Sequence, residues 1–317
     1  MKKIQFWSLL LGLTFGSLAF TACSSDDDDE SGNDGGGAIT SLEGTWKSVH
    51  QGERGLHITN IIVFGADGSY EERHIEVSEV TSGPSGKILE TDETVEKGTY
   101  KKEGDKYMVQ ITEFWHTVNG ELKKDDTFKP TDATVFPYQA YSNGFLTMAS
   151  GGINYFVPEG KEREIISVKG HEMVGRWEIH QPWKDQPNRE TVRYIELTED
   201  GMMKEGGEQW ATDENRMFQG SESRGFFVVL DSKFADMLVG SDVKIPEGGK
   251  LVSFIEDVSY YYETTGTSAA WKFATARYGG HPNQYVIKDG KLYFGVIGQS
   301  EEYFFSEDNA FTKKSDI

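Results

Sequence analysis

The sequence predicts an all-β protein, on three observations. It carries five Asn-Gly or Asp-Gly pairs: Asp67-Gly68, Asn119-Gly120, Asn143-Gly144, Asp200-Gly201 and Asp289-Gly290. Such pairs favour hairpin turns, because a type I′ turn needs positive φ at both central residues. Aromatic residues make up 13% of the chain beside 36 glycines, a composition of strands separated by tight turns. Tyr107, Val109 and Ile111 alternate with Met108, Gln110 and Thr112, the period-two pattern of a half-buried strand, and no long stretch shows a helical period.

The chain opens on Lys2 and Lys3, followed by an apolar stretch from Leu9 to Phe20. That stretch is too short to span a bilayer, which takes roughly 20 apolar residues. A basic start, a short apolar core and small residues before a cleavage point make a secretory signal peptide over 1–22. Phe20-Thr21-Ala22-Cys23 ends it with the single cysteine of the chain. These four residues resemble the lipobox of bacterial lipoproteins, with Phe20 in place of the usual leucine. The resemblance implies that the Cys23 thiol is acylated and tethers the protein to a membrane. Buried acyl chains hold by about 0.8 kcal/mol per methylene. With that thiol used, no disulfide is available, and the exported domains must rely on packing.

Ser24-Ser25 and the run Asp26 to Glu30 follow. An acidic patch just after the acylated cysteine resembles the surface-export signal of Bacteroidota lipoproteins. It implies an outer-membrane address with exposure on the cell surface. Like charges also repel, so the segment reads as an extended, solvated linker. The 18 residues from 24 to 41 reach about 20–25 Å as a flexible chain.

The ordered part repeats itself. Gly44-Thr45-Trp46 and the segment from Ile61 to Tyr70 return as Gly175-Arg176-Trp177 and Tyr194 to Gly201. The spacing from tryptophan to the turn aspartate is 21 residues in the first copy and 23 in the second. Asn143 to Met148 likewise matches Asp289 to Phe294, and Tyr155-Phe156 and Tyr303-Phe304-Phe305 are expected as the final apolar strands. The chain therefore divides into a first domain at 42–157, a linker at 158–170 and a second domain at 171–317. Gly220 to Pro246 reads as an insertion in the second domain.

Gly-x-Trp followed by Phe64-Gly65-Ala66-Asp67-Gly68-Ser69-Tyr70 resembles the opening of lipocalin-like (calycin) domains. In the second copy Leu197 stands for the phenylalanine and Met203 for the tyrosine. The resemblance implies two tandem antiparallel up-and-down β-barrels, with Trp46 and Trp177 closing one end of each. Barrel closure leaves no exposed sheet edge.

Catalytic signatures are absent from the sequence. There is no Gly-x-Ser-x-Gly elbow, no phosphate-binding glycine loop and no His-Glu-x-x-His. His50, His57, His74, His171, His180 and His281 fit no metal-ligand spacing. Pairs such as Glu71-Glu72 and Asp125-Asp126 would need a defined separation across a sugar to act in a glycosidase. The expectation is a protein without catalysis, cofactor or metal. A net charge of −20 disfavours nucleic acid. The membrane, through Cys23, is the expected partner. The leading function is binding of a small molecule, glycan or lipid-like ligand by the barrels. Trp115 at a turn, Trp183 in a Pro-rich loop and Trp210 in a polar connection are the candidate contacts. The rivals are a scaffold with filled barrels that meets a surface protein, and a carbohydrate-active hydrolase.

Overall fold

The structure is a computed structural model that describes residues 41–51, 55–81, 86–141, 143–149, 153–232, 234, 245–265, 268–276, 280–297 and 299–314. The expected signal peptide at 1–22, Cys23 and the acidic run from Asp26 to Glu30 lie outside the described residues. The first nine strands are β1 (Gly44–Gln51), β2 (His57–Phe64), β3 (Ser69–Thr81), β4 (Lys87–Glu103), β5 (Lys106–Val118), β6 (Glu121–Lys124), β7 (Thr134–Ala140), β8 (Leu146–Ala149) and β9 (Ile153–Pro158). The next nine are β10 (Gly175–Trp183), β11 (Gln186–Leu197), β12 (Met202–Ala211), β13 (Arg216–Leu230), β14 (Lys250–Thr265), β15 (Ser268–Ala276), β16 (Gly280–Lys288), β17 (Lys291–Val296) and β18 (Ala310–Lys313).

Two tandem antiparallel barrels result. In the first, β1-β2-β3-β4-β5-β7-β8-β9 close on β1, an eight-stranded ring. In the second, β10-β11-β12-β13-β14-β16-β17-β18 close on β10 in the same way. The strand left out of each ring is also the same. β6 pairs with the far half of β5, and β15 with the far half of β14. At that end each barrel opens into a sheet that overhangs its mouth.

All five turn pairs sit between paired strands, but in two geometries. Asn119-Gly120 and Asp289-Gly290 have positive φ at both residues, as a type I′ turn requires. At Asp67-Gly68, Asn143-Gly144 and Asp200-Gly201 only the glycine is positive. There Gly68 donates to Gly65 O, Gly144 to Tyr141 O and Gly201 to Thr198 O, at 2.9–3.0 Å, within a longer loop.

Both barrels are closed at one end by tryptophan. Trp46 Nε1 donates to Leu42 O at 2.8 Å, and Trp177 Nε1 to Met173 O at 2.9 Å. Above them the interiors are packed: Ile62, Phe64, Tyr107 and Phe156 in the first, Ile195, Leu197, Phe254 and Phe311 in the second. Gly98 and Gly225 mark a bulge at the same place in each ring. A Cβ on Gly98 would lie 1.9 Å from Gln110 O, and one on Gly225 2.0 Å from Ile255 O. The strands approach that closely only because both residues are glycine.

A third apolar cluster joins the barrels. Ile153, Tyr155 and Val157 on the outside of β9 pack against Phe226, Val228, Leu230 and Ile255. Ile165 and Ile166, in the segment between β9 and β10, pack against the same cluster.

Four sequence expectations are corrected. Gly220 to Leu230 is no insertion but the body of β13. Its run of apolar residues arises because one face lines the barrel and the other meets β9, so both faces are buried. Trp183 ends β10, and Trp210 lies in β12. Pro182 stands at a register shift beside Trp183, so the proline does not break the strand. Tyr303 and Phe304 form a short helix, α1 (Glu301–Phe304), instead of the last strand, and Phe305 ends it. Ser300 caps that helix by accepting from Tyr303 N at 3.3 Å. The closing strand is β18, whose Phe311 pairs with Leu292 as Phe156 pairs with Leu146.

Candidate functional site

A cavity of about 490 Å³ lies in the mouth of the second barrel. Ile195, Phe294 and Phe311 floor it, and Arg193, Glu205, Ser221, Ser223, Ser259 and Tyr261 are among the side chains around it. The ladder register explains why space remains there. Side chains alternate between the two sheet faces, so residues two apart share the inner face. Trp46 and Trp177 pair with Ile62 and Ile195, which sets the two barrels in step. Following the ladders around, His74 of β3 corresponds to Gly207 of β12. Thr94 and Glu96 of β4 correspond to Ser221 and Ser223 of β13. Phe114 and His116 of β5 correspond to Ser259 and Tyr261 of β14.

His74, Glu96 and Phe114 of the first barrel are therefore replaced by glycine and serine in the second, while His116 gives way to Tyr261. A Cβ on Gly207 would meet nothing within 4 Å, so this glycine leaves open space. Its neighbour Gly206 serves a different purpose, since a Cβ there would lie 2.3 Å from Ser221 O. In the first barrel Phe114 stacks on Phe128 at 5.8 Å and on His116 at 5.9 Å. Phe128 in turn packs against the interior cluster.

The first mouth is instead rich in titratable groups. Glu72 and Glu96 are direct cross-strand partners on the inner face. Tyr70 donates to Glu72 at 2.5 Å. Burial first, and the Glu72 charge second, push the Glu96 carboxyl up to about 7. His74 Nδ1 lies 2.8 Å from Asn60 Oδ1, and burial lowers its pKa. No group of His, Cys, Asp and Glu among the described residues has the arrangement of a metal site.

The three candidate tryptophans do not share a site. Trp183 lies on the inner face of the second barrel, where its Nε1 donates to Thr191 Oγ1 at 3.0 Å. Phe218 meets it edge-on at 6.0 Å, and the Arg189 guanidinium lies 4.7 Å from the Phe218 ring. Trp210 lies on the outer face and donates to Glu208 at 2.9 Å. Trp115 is also outside, donating to Glu113, with Lys97 and Lys124 5.8 and 5.9 Å from its ring. The serines, Gly207 and Arg193 carried no sequence signal by themselves. A register alignment of the two copies would have found them, but the turn matches alone did not extend across the bulge at Thr112 and Asp257.

No family model matches the chain, and no curated protein matches it.

Proposed function

We propose that this chain is a lipid-anchored binding protein of the outer membrane, exposed on the cell surface through Cys23 and its acidic tether, and that it acts without catalysis. The second barrel takes a small molecule in its mouth. The observation that carries this reading is the cavity of about 490 Å³, opened by Gly207, Ser221, Ser223 and Ser259 where the first barrel has bulkier groups. Its size falls in the usual range for small-molecule sites, and its apolar floor with a few polar walls is the usual lining. In the first barrel Phe114 and Phe128 occupy the corresponding mouth, which favours a supporting or contact role for that half.

Trp183 reports on the mouth, so a panel of glycans and amphiphiles should be screened by tryptophan fluorescence. Ser259→Phe and Gly207→His restore the first barrel's residues and should weaken any binding at least tenfold. Binding that survives both, or no binding by any compound, removes the proposal. Cys23→Ala should release the protein from the membrane fraction. Deleting Asp26 to Glu30 should shield it from protease added to intact cells. A protein that stays membrane-bound, or equally cleavable, would remove the anchor or the export reading respectively.

A further inference from the structure

The chain carries 52 acidic residues, so an arginine without a carboxylate partner is unusual in it. Seven arginines are described: Arg73, Arg163, Arg176, Arg189, Arg193, Arg216 and Arg224. Five are ion-paired, Arg73 with Glu71, Arg163 with Asp257, Arg176 with Glu178, Arg216 with Glu214 and Arg224 with Glu222. Arg189 and Arg193 are the two without a carboxylate partner among the described residues. Both lie on the inner face of β11: Arg193 lines the cavity, and Arg189 lies four residues further toward the rim, outside the cavity lining.

Their contacts are weak ones that a ligand could share or displace. Arg193 Nη1 donates to Asp308 O at 3.3 Å, and its guanidinium stands 5.5 Å from the Phe311 ring. Arg189 stacks near Phe218 and lies 5.6 Å from the Trp183 ring. Four residues of strand separate their Cα atoms by about 13 Å. Two carboxylates border the cavity. Glu222 turns to the outer face, where it accepts from Tyr194 and pairs with Arg224, and Glu205 is already engaged within the protein.

Guanidinium groups match carboxylates through paired N–H donors and prefer them to neutral partners. Level with Arg193 and just below it the wall carries hydroxyls, from Ser221, Tyr261, Ser223 and Ser259, and the rung between the two arginines is polar, with Thr191, Gln209 and Gln219. Below it the barrel is filled by Trp177, Leu197, Phe227 and Phe254, which leaves no deep apolar tunnel for a long tail. Aromatic rings at the rim offer flat faces for stacking. Resting on the ligand-binding reading above, we infer that the second barrel's mouth takes a short acidic glycan. Its uronate carboxylates meet Arg193 and Arg189, its hydroxyls meet the serines, and one sugar face lies against Trp183.

The test titrates the detergent-solubilised full chain with trigalacturonate, its methyl ester and octanoate, following tryptophan fluorescence. Trigalacturonate should bind, at least tenfold more tightly than the ester, and its binding should weaken with added salt. Arg193→Gln and Arg189→Gln should each weaken it at least tenfold, with the thermal midpoint unchanged. Equal binding of acid and ester, or intact binding in both variants, overturns the inference. Octanoate binding alone, abolished by Ser259→Phe, would overturn the acidic-glycan assignment and leave the ligand-binding reading standing. Silence with all three probes overturns the inference as well.

Discussion

Asp257 holds Arg163 through both carboxylate oxygens, at 2.9 and 2.8 Å. Asp257 is the extra residue of the β14 bulge in the second barrel, and Arg163 belongs to the segment that joins the two barrels. The same carboxylate lies 3.5 Å from Nδ1 of His50, on β1 of the first barrel. Its counterpart in the first barrel's bulge is the exposed Thr112. The bulge thus fastens one barrel to the other only where the duplicated position has become acidic.

Burial works to raise the Asp257 carboxyl, but hydrogen bonds from His50 and Arg163 outweigh it and hold the pKa low. A lowered carboxylate pKa adds stability above the usual carboxylate range, and that stability is lost as pH falls through the folded value. Asp257→Ala should cost about 2 kcal/mol at pH 7, because it removes the buried carboxylate that Arg163 and His50 share. The loss should shrink below pH 4. Urea unfolding across that range would show it, and a variant as stable as the parent at pH 7 would refute the role.

Glu96 has the opposite sign. Its raised pKa means that the folded state holds a proton that the unfolded chain releases between about 4.5 and 7. Stability should therefore fall as pH rises through that window. Glu96→Gln removes the penalty and should stabilise the protein by about 2–3 kcal/mol above pH 7, with little effect at pH 4.5. Denaturation midpoints at the two pH values test this. An equal shift at both would show a packing effect instead.

The bulge glycines should be intolerant. Gly98→Ala and Gly225→Ala each force a Cβ into a neighbouring backbone carbonyl. Each should lower stability by more than about 2 kcal/mol. Gly207→Ala, where the space is open, should cost less than about 1 kcal/mol. Thermal melts of the three variants make the comparison, and similar losses at Gly207 and Gly98 would contradict the geometry.

The end-closing tryptophans should behave alike. Trp46→Phe and Trp177→Phe each leave a buried carbonyl, Leu42 O or Met173 O, without its indole donor. Each should destabilise its barrel by about 2–3 kcal/mol, combining the unmade hydrogen bond with lost packing. Calorimetry on the single and double variants would measure it, and a change below 0.5 kcal/mol in either would argue against the closure role.

The fold class was legible because its signals are local. An Asn-Gly or Asp-Gly pair dictates a turn through its own φ preferences, and alternation along Tyr107 to Thr112 needs only the strand period. Gly44-Thr45-Trp46 and Gly175-Arg176-Trp177 likewise announced a repeated element without reference to anything distant. What failed was local pattern under non-local burial. β13 lost its alternation because β9 covers its second face, and the tail around Tyr303 looked like a strand although Ser300 caps it into a helix.

The sequence by itself determined a β protein of two related halves, through turn chemistry and strand period. It also carries the lipoprotein-like start, which lies outside the described residues. Only the tertiary structure decided that the mouths differ. Whether a serine lines a cavity or an ordinary wall depends on which residue sits across the ring, and that is set by register accumulated over several strands. Phe114 and Ser259 are 145 positions apart in the chain yet hold the same place in their barrels. The space that separates a filled mouth from an open one is a property of that correspondence, and it becomes visible only once the strands have closed.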